Sequence, residues 1–548
     1  MLLLSALTPL VVAGAAGAHE AHVPIARAVD VAEPCPGDPL SPQRVVTGEL
    51  DSALQGGYVL IPFDVPAGTT AVRVKYCYDQ PETPASPERH TLDLGLYGPR
   101  ADPGTPWGVE EFRGWGGSSH PDVTVSPEGF STEAEYEADP DVRVPGKTTR
   151  AFRPGPIGAG EWAVELGLAS IVPPTRGDLD GKVAYRVEIE LSADPAFADE
   201  PYRPAPYDAA PASRRAGWYA GDFHFHGEHS ALGDAPLREV FDYAFRPLGE
   251  DGAGLDFITL SDYVSGSSWD EIGRQQARHP GKLVVRSAEV ITYRGHVNSH
   301  ANTSVIDYRH GPLYERRGDG VLVQRRAARP ASDSLARIRA VGGFTQISHP
   351  TIFPSPPFPP GLCRGCPWEY SDAETDYAKV DAIEIATGPA GLQAPAEPGP
   401  NPFTVTGIAF WEDALERGNK IAAVGSSDSH NAGRTPNPVT QAPIGTATTM
   451  VFADELSEAG IKRGVQAGHT YVKVTGNDAP DLRLEATAPG SQDPPAIMGD
   501  TVRSGSAQFT ARVLGASPGP EPYELIVLKD GRPLSAAPVT GDDFSLPF

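Results

Sequence analysis

The sequence predicts a multidomain protein with an N-terminal β-sandwich, a central α/β barrel of about seven strands and a small C-terminal β-domain. Three observations lead to this prediction. The chain has 548 residues, and at roughly 150 residues per domain it should form three or four folded units. Hydrophobic residues make up 40% and charged residues 21%, which excludes a largely disordered or polytopic membrane protein. The 59 glycines and 57 prolines favour turns and short strands over long helices.

The N-terminus has the pattern of a secretory signal peptide. Residues 2–18 read LLLSALTPLVVAGAAGA, an uncharged apolar run that ends in small residues. A membrane anchor is the alternative, but a span needs about 20 apolar residues and Pro9 weakens this one. No Lys or Arg follows Met1 to complete the usual signal. We predict a signal peptide over residues 1–18 and a secreted protein with no stable membrane span after cleavage.

Charge excludes one class of partner. Lys and Arg total 45 against 71 Asp and Glu, a formal net charge of -26. Nonspecific attraction to nucleic acid or to an anionic membrane is therefore unfavourable. We expect a small-molecule substrate and no nucleic-acid partner.

Four cysteines are compatible with two disulfides in an exported chain. We predict that Cys35 pairs with Cys77. Cys363 and Cys366 form a C-R-G-C motif, for which a local disulfide, a redox pair and half of a zinc site remain open.

Residues 40–195 are predicted to form the β-sandwich. Short β-rich runs, separated by Gly, Pro and Asp clusters, read YVLIPFDV, TAVRVKYCY, HTLDLGLYG, EWAVELGL and VAYRVEIEL. The sandwich is expected to be an accessory module that covers a catalytic domain or binds carbohydrate. Residues 201–215 include the proline-rich stretch PYRPAPYDAAPAS and are predicted to be a stiff linker.

Residues 216–474 alternate apolar strands with amphipathic helices. The strand candidates read LDFITL, KLVVR, GFTQI, DAIEIA and KIAAVG. Leu237, Val240, Phe241 and Ala244 keep helical spacing behind Asp234, a candidate N-cap. Such alternation predicts parallel strands with crossover helices. Residues 478–548 return to short β runs and are predicted to form the terminal β-domain. The arginine-rich segment 309–329 is expected to be a solvated loop, with recruitment of an anionic substrate as the alternative.

Candidate metal ligands stand near the ends of these strands. His224 and His226 lie in GDFHFHGEHS, Glu289 follows KLVVRSA and His349 follows FTQIS. The active site of a barrel lies where the carboxyl ends of parallel strands meet. Two histidines spaced two apart on an extended segment point the same way, which suits a shared metal, although HxH alone is often only a polar strand face.

Together these motifs resemble the PHP (polymerase and histidinol phosphatase) domain, and within it the carbaryl-hydrolase-like CehA/McbA branch. The resemblance covers residues 217–474, and its carriers, in order, are GDFHFHGEHSALGDAP, GLDFITLSDY, SAEVITYRGHVN, ISHP, DAIEIATG and GSSDSH. It implies a distorted (β/α)7 barrel that holds two or three divalent ions, such as Zn, Mn or Fe. It also implies hydrolysis of phosphoesters or, in the named branch, of carbamate or amide bonds.

The resemblance implies a set of metal ligands in this chain. Asp234, in LGDAP, matches a position where only some members of the family supply a ligand. The full implied set is His224, His226, Asp234, Glu289, His296, His349, Asp428 and His430.

One motif departs from the family pattern. Where the family usually reads TDH, this chain reads Ser261-Asp262-Tyr263, which removes an imidazole and puts a third metal in doubt. Tyr263 is expected to bind ferric iron, to donate a hydrogen bond to substrate, or only to pack. Asp262 is expected to orient a ligand histidine.

The predicted chemistry is hydrolysis by metal-activated water, with Glu289 bridging the ions. Arg294, beside His296, is a candidate clamp for a phosphate or carboxylate, or else a structural arginine. We therefore expect a secreted metal-dependent hydrolase, with phosphoesters as the leading substrate class. The alternatives are a carbamate or amide hydrolase with the same site and a noncatalytic protein that binds glycans.

Overall fold

The structure, a computed structural model, describes residues 29–548 apart from short gaps. The gaps are residues 82–87, 103–104, 139–143, 234, 310–313, 325–329, 353–364, 389–390, 394–397, 434–441 and 517–522. The predicted signal peptide, Asp234 and Cys363 therefore lie outside the described residues. Over the rest, the chain is mostly β with few helices.

Strands dominate the N-terminal part because its apolar residues recur in short runs between turns. The run YVLIPFDV, for example, forms the strand Tyr58–Val65 and is almost entirely buried. The elements are β1 (Arg44–Asp51), β2 (Tyr58–Val65), β3 (Ala71–Tyr78), β4 (Thr91–Tyr97), β5 (Phe112–Gly117), β6 (Asp122–Val125), α1 (Glu133–Ala138), β7 (Gly160–Ser170) and β8 (Lys182–Ser192).

The next part of the chain supplies the strands and helices around the candidate site. They are β9 (Gly217–Phe225), α2 (Leu237–Phe245), β10 (Phe257–Leu260), α3 (Trp269–Gln276), β11 (Leu283–Thr292), β12 (Gly295–His300), β13 (Tyr314–Arg316), β14 (Leu322–Gln324), α4 (Ala331–Ala340), β15 (Phe344–Ile347), β16 (Ala382–Thr387), β17 (Gly391–Gln393), β18 (Pro398–Pro400), α5 (Pro402–Glu416), β19 (Ala422–Ser426), β20 (Thr448–Ala453), α6 (Glu458–Ala467) and β21 (Thr470–Lys473).

Two antiparallel sheets share one apolar core in the N-terminal part. Sheet I has the strand order β1-β8-β3-β6, and sheet II has the order β13-β14-β2-β7-β4-β5. Val59 of sheet II and Val72 of sheet I, both fully buried, belong to the same apolar cluster. Because β13 and β14 come from residues beyond 216, sheet II is not confined to residues 40–195. The predicted sandwich domain and its limits stay a prediction.

The arginine-rich segment is not simply a solvated loop. Arg309 is buried and donates to the Asp307 carboxylate at 3.0 Å and to the carbonyl oxygen of Trp107 at 2.6 Å. Further along, β14 pairs with β2. The prediction of a solvated loop was wrong for Arg309 and β14. Buried acceptors replace the solvent contacts of Arg309, and β14 forms hydrogen bonds with β2 instead of with water.

The predicted disulfide between Cys35 and Cys77 is present, with Cα atoms 5.6 Å apart. It closes a loop that brings the chain before β1 onto β3. Cys366 is also disulfide-bonded, which leaves it no free thiolate to bind a metal.

A third sheet, sheet III, carries the candidate site. Its strand order within the described chain is β19-β16-β15-β12-β11-β10-β9-β20-β21, and its two edge strands lie against each other, so that the sheet nearly closes. Strands β9, β10 and β11 run parallel to one another, as do β15, β16 and β19. Strand β12 is antiparallel to both β11 and β15. Strand β21 is antiparallel to β20, which is itself antiparallel to β9, so seven strands end at one rim.

The antiparallel strands depart from the predicted parallel arrangement. Only Tyr293 and Arg294 separate β11 from β12, and so short a connection permits a hairpin but not a crossover. Strand β20 is likewise antiparallel to β9 and to β21. The more specific (β/α)7 class stays a prediction.

The outer face of sheet II packs on sheet III. Tyr58 of β2 stacks on Tyr293 with ring centroids 5.4 Å apart, and the Tyr293 hydroxyl donates to Asp93 at 2.6 Å. The predicted linker also lies against sheet III, since the Tyr207 hydroxyl donates to the carbonyl of Val284 at 2.7 Å. The N-terminal part thus lies next to the candidate site.

The C-terminal residues form two small antiparallel sheets. The strands are β22 (Asp481–Thr487), β23 (Gln508–Leu514), β24 (Glu524–Lys529), β25 (Arg532–Pro538) and β26 (Asp543–Pro547). Strand β23 pairs with β22 and β26, and β24 pairs with β25. A domain over residues 478–548 remains a prediction. Among the described helices, none has the length and apolar character needed to cross a membrane.

Candidate metal centre

Most of the proposed ligands lie at the rim where the seven aligned strands end. His224 and His226 lie in or just after β9, and Glu289 lies in β11. His349 follows β15, and Asp428 and His430 follow β19. His349 and Asp428 have positive φ angles of 29° and 51°, a conformation that costs energy and recurs at functional sites.

One half of the centre forms around Asp428. Its Oδ1 atom lies 3.1 Å from Nε2 of His226 and 3.4 Å from Nε2 of His224. The His224 and His226 side chains are fully buried, whereas that of Asp428 is 23% exposed. Solvent therefore reaches the centre from the Asp428 side.

Glu289 faces both halves of the centre. Its Oε2 atom lies 3.4 Å from Nε2 of His224 and 3.7 Å from Nε2 of His226. Its Oε1 atom lies 2.9 Å from Nδ1 of His296 and 3.2 Å from Nε2 of His349. One oxygen of this carboxylate thus lies towards each pair of imidazoles.

Hydrogen bonds on the outer side of the rings fix which nitrogen faces the centre. Nδ1 of His349 lies 3.0 Å from the carbonyl oxygen of Cys366. A carbonyl only accepts, so Nδ1 carries the hydrogen and Nε2 presents a lone pair inward. Nδ1 of His224 lies 3.0 Å from Glu384, and Nδ1 of His226 lies 3.0 Å from the Ser230 hydroxyl.

The ligand atoms of the centre suit divalent cations. Imidazole nitrogens that face carboxylate oxygens at these distances need either a proton or a metal cation between them. Among the described residues, the buried Nε2 atoms of His224 and His296 have no hydrogen-bond partner. Two overlapping groups have ligand atoms within 4.8 Å of one another, namely His224, Glu289 and His349, and His224, His226 and Asp428.

Without a metal ion, histidines of this centre would bind protons. Burial lowers the pKa of His349, but its hydrogen bond to Glu289 and the charge of Asp428 outweigh it and raise the pKa to about 9. The same balance raises the pKa of His224 well above its ordinary value. Burial raises the pKa of Glu289, yet His224 and His296 hold it well below the usual range. The centre thus attracts positive charge.

Tyr263 donates its hydroxyl hydrogen towards Nε2 of His430, 2.8 Å away. Burial, followed by the charges of Glu289 and Asp428, raises the pKa of Tyr263 well above its ordinary value, so the phenol stays neutral. Nδ1 of His430 lies 3.1 Å from the carbonyl of Asp428. In this arrangement the remaining lone pair of His430 is directed at the phenol, and its role as a metal ligand stays a prediction.

Asp262 contacts the backbone beside a proposed ligand instead of a histidine ring. Its Oδ1 atom accepts the N–H of Gly227 at 2.9 Å, directly after His226. Burial raises the pKa of this carboxyl. Its role in orienting a ligand ring stays a prediction, but the contact does hold the chain at that ring.

Arg294 already has a carboxylate partner. Its Nη1 and Nη2 atoms donate to the two oxygens of Glu374 at 2.7 and 2.9 Å, and its guanidinium lies 4.4 Å from the Tyr370 ring centroid. The structure thus brings Arg294 to Glu374. Asp234, which the resemblance implies as a further ligand, lies outside the described residues.

Sequence reasoning missed two carboxylates that shape the centre. Glu384, in DAIEIATG, accepts from His224 and from the Gln346 amide at 3.0 Å. Asp222 accepts the N–H groups of His224 at 3.0 Å and Gly445 at 2.7 Å, and burial raises its pKa to about 6. The available signal was the single carboxylate in each of the strands β9 and β16.

Two solved structures resemble the chain weakly. One is a two-domain protein from Bacteroides vulgatus that contains a predicted PHP-like metal-dependent phosphoesterase. It is 15% identical, with 63% of this chain and 86% of that chain covered and a TM-score of 0.31. The other, from Bifidobacterium adolescentis, has a proposed metal-dependent phosphoesterase activity. It is 12% identical, with 41% and 92% covered and a TM-score of 0.25. No family model and no curated protein matches the chain.

Proposed function

We propose that the chain is a metal-dependent hydrolase whose reaction takes place at the rim of sheet III. The observation that carries the proposal is the position of Glu289, whose two oxygens each face a pair of imidazole nitrogens within 3.7 Å. This set of buried imidazole nitrogens and carboxylate oxygens needs either protons or metal cations between its members. It is suited to hold two divalent ions of the Zn, Mn or Fe type.

Bound divalent ions would supply a nucleophile at neutral pH by lowering the pKa of water and would stabilise negative charge on the substrate. The protein's own groups do the rest. Glu384 holds the His224 ring in place, and Glu289 keeps the two halves of the centre together. The neutral Tyr263 hydroxyl donates to Nε2 of His430 and thereby holds that ring beside the centre.

Phosphoesters are the substrate class that we propose first. The support is the resemblance of the motifs to the PHP superfamily and its carbaryl-hydrolase-like branch, together with the mixed imidazole and carboxylate cluster. Carbamate and amide bonds develop the same kind of oxyanion, so the experiment must compare both substrate classes. A third metal is not part of the proposal, because Tyr263 stands where the family has histidine.

The test begins with protein purified without chelator or affinity metal, followed by elemental analysis. We expect about two equivalents of metal per chain. The protein is then assayed with Zn²⁺, Mn²⁺ or Fe²⁺ on aryl phosphomonoesters, aryl phosphodiesters and aryl carbamates. Glu289→Gln should reduce both the metal content and the rate by more than about 100-fold, since even outer contacts of a metal site are worth 10 to 100-fold.

Glu374→Gln is the matched control, because it removes a carboxylate paired with Arg294 outside the centre. It should leave metal content and rate within about twofold of the native values. If only the aryl carbamate is hydrolysed, the substrates are carbamates or amides and not phosphoesters. Protein that binds no metal and hydrolyses nothing would refute the enzyme and favour a glycan-binding protein, to be tested on a glycan array.

We also propose that the protein is secreted. The support is the apolar leader of residues 2–18 and two sites of disulfide bonding, at Cys35 with Cys77 and at Cys366. Mass spectrometry of protein from the source culture should find a mature N-terminus near residue 19. Recovery of the uncleaved chain from the cytoplasmic fraction would refute the proposal.

A further inference from the structure

An arginine of the N-terminal part reaches into the loop that follows the first metal-binding strand. Nη1 of Arg150 lies 3.1 Å from Oε1 of Glu228 and 3.2 Å from Nε2 of His229. The same atom lies 3.5 Å from Oε2 of Glu271, on α3. The Arg150 side chain is only 4% exposed and that of Glu228 is fully buried, so these charges interact with little screening by solvent.

The guanidinium takes the place that a metal ion would otherwise fill. Glu228, His229 and Glu271 each offer a ligand atom, all within 4.8 Å of one another. Because Arg150 already contacts all three, the positive charge in this second cluster belongs to the protein itself. The cluster is therefore a buried ion pair between two parts of the chain and not a second metal site.

Arg150 is held in position from its own side. Its Nη2 atom donates to the carbonyl of Ser131 at 2.6 Å, and its guanidinium lies 5.3 Å from the ring centroid of Phe130 and 5.5 Å from that of Tyr136. A guanidinium held by a carbonyl and two aromatic rings keeps little rotational freedom. Its contacts to the loop therefore act as a fixed anchor.

The N-terminal part contacts the same loop at two further points. The edge of the Phe130 ring packs on His229, with centroids 4.7 Å apart and planes at 85°. The Tyr136 hydroxyl donates to the carbonyl of Gly233. Together with Arg150, these contacts cover the loop of residues 227–233 from one side.

This loop in turn positions the metal centre. The Ser230 hydroxyl lies 3.0 Å from Nδ1 of His226 and accepts the N–H of Tyr263 at 3.1 Å. Ser230 is two residues from Glu228, the partner of Arg150. A shift of the Glu228 backbone would therefore move the group that sets the orientation of His226.

We propose that Arg150 is a positioning residue for the metal centre, so that the N-terminal β part is an integral component of the site. The inference rests on the proposed metal-dependent function. Arg150 neutralises Glu228 and Glu271 and thereby keeps the loop of residues 227–233 in the arrangement that directs Nε2 of His226 inward. Without this cation, the buried Glu228 carboxylate would turn towards water and take the loop with it.

The experiment compares Arg150→Met with Arg309→Met. Arg309 is an equally buried arginine beside sheet II, but its partners are Asp307, Glu165 and the Trp107 carbonyl. Mn²⁺ affinity is measured by calorimetry on full-length protein stripped of metal, with thermal unfolding recorded for each variant. Arg150→Met should weaken Mn²⁺ binding at least about tenfold, as loss of outer contacts does elsewhere. Arg309→Met should leave it within about twofold while lowering the unfolding temperature to a similar extent.

A second variant keeps the test decisive if Arg150→Met does not fold. Glu228→Gln preserves the size of the side chain and leaves Arg150 paired with Glu271, so it should fold and weaken Mn²⁺ binding in the same direction. Arg150→Lys, which keeps the charge, should restore part of the affinity. Affinity within twofold of native in both Arg150→Met and Glu228→Gln, or an equal loss in Arg309→Met, would overturn the inference alone. Native protein that binds no Mn²⁺ or Zn²⁺ would instead overturn the proposed function on which it rests.

Discussion

Glu384 accepts a hydrogen bond from Nδ1 of His224 at 3.0 Å, with both side chains fully buried. The opposite nitrogen of the same ring faces Glu289 and Asp428. A carboxylate on one side of the imidazole thus determines the lone pair on the other side and makes it a stronger ligand. This pair links a strand that carries no proposed ligand to the candidate metal centre.

Removing the charge of Glu384 should weaken metal binding, although all the proposed metal ligands remain in place. We expect Glu384→Gln to reduce the affinity for Zn²⁺ by about 10 to 100-fold, because the amide can present a donor to Nδ1 and favour the wrong tautomer. Competition with a chromophoric chelator measures the change. The surface variant Glu374→Gln is the control, and an affinity unchanged in Glu384→Gln would contradict the role given to this residue.

The metal-free protein should lose stability as the pH rises towards 9. The folded pKa of His349 is about 9, above its ordinary value of 6.5. A group with a raised pKa stabilises the folded state fully below pH 6.5, and this contribution disappears as the pH passes through 9. The difference corresponds to roughly 3 kcal/mol of unfolding free energy, measured by urea denaturation of chelator-treated protein between pH 6 and 9.5.

His349→Gln provides the comparison for this pH dependence. The variant should lose the His349 part of the slope, so the difference between native and variant curves should shrink from pH 6 to 9.5. Saturating Zn²⁺ should remove that part too, because the cation displaces the proton. A native-minus-variant difference that grows with pH in the metal-free state would contradict the prediction.

The substitution Tyr263→His should add a metal ligand. The neutral phenol is a poor ligand, and its ring lies only 4.4 Å from the His226 ring between centroids. We expect Tyr263→His to raise the metal content by up to one equivalent, and Tyr263→Phe to leave it unchanged. Elemental analysis after dialysis against metal-containing buffer measures both. An equal metal content in all three proteins would indicate that position 263 does not limit the number of ions.

The Cys35–Cys77 disulfide should stabilise the N-terminal sheets. It joins residues 42 apart in sequence, and a loop of this length corresponds to about 4 kcal/mol of unfolding free energy in the chain-entropy model. The double variant Cys35→Ser and Cys77→Ser isolates this bond, whereas a reductant would also open the disulfide at Cys366. Denaturant unfolding followed by tryptophan fluorescence measures the loss of stability. An unfolding transition of the N-terminal sheets at the same denaturant concentration as in the native protein would contradict the expectation.

Much of the secondary structure could be predicted because it depends on local pattern. The run at β2 and the helical spacing of Leu237, Val240 and Phe241 at α2 are apolar periodicities that the sequence displays directly. The candidate ligands at strand ends were visible for the same reason. Their roles in binding metal remain predictions until the ions are measured.

The sequence by itself determined that residues of metal-ligand type lie near the ends of apolar strands, because residue type and periodicity are local properties. Only the tertiary structure decided that β12 returns antiparallel and brings His296 to Glu289, that Glu384 holds His224, and that Arg150 anchors the loop after His226. Each of these contacts joins segments by the pairing of strands or by packing of one sheet on another. The free energy of such pairings depends on burial and charge in three dimensions, which no local pattern records.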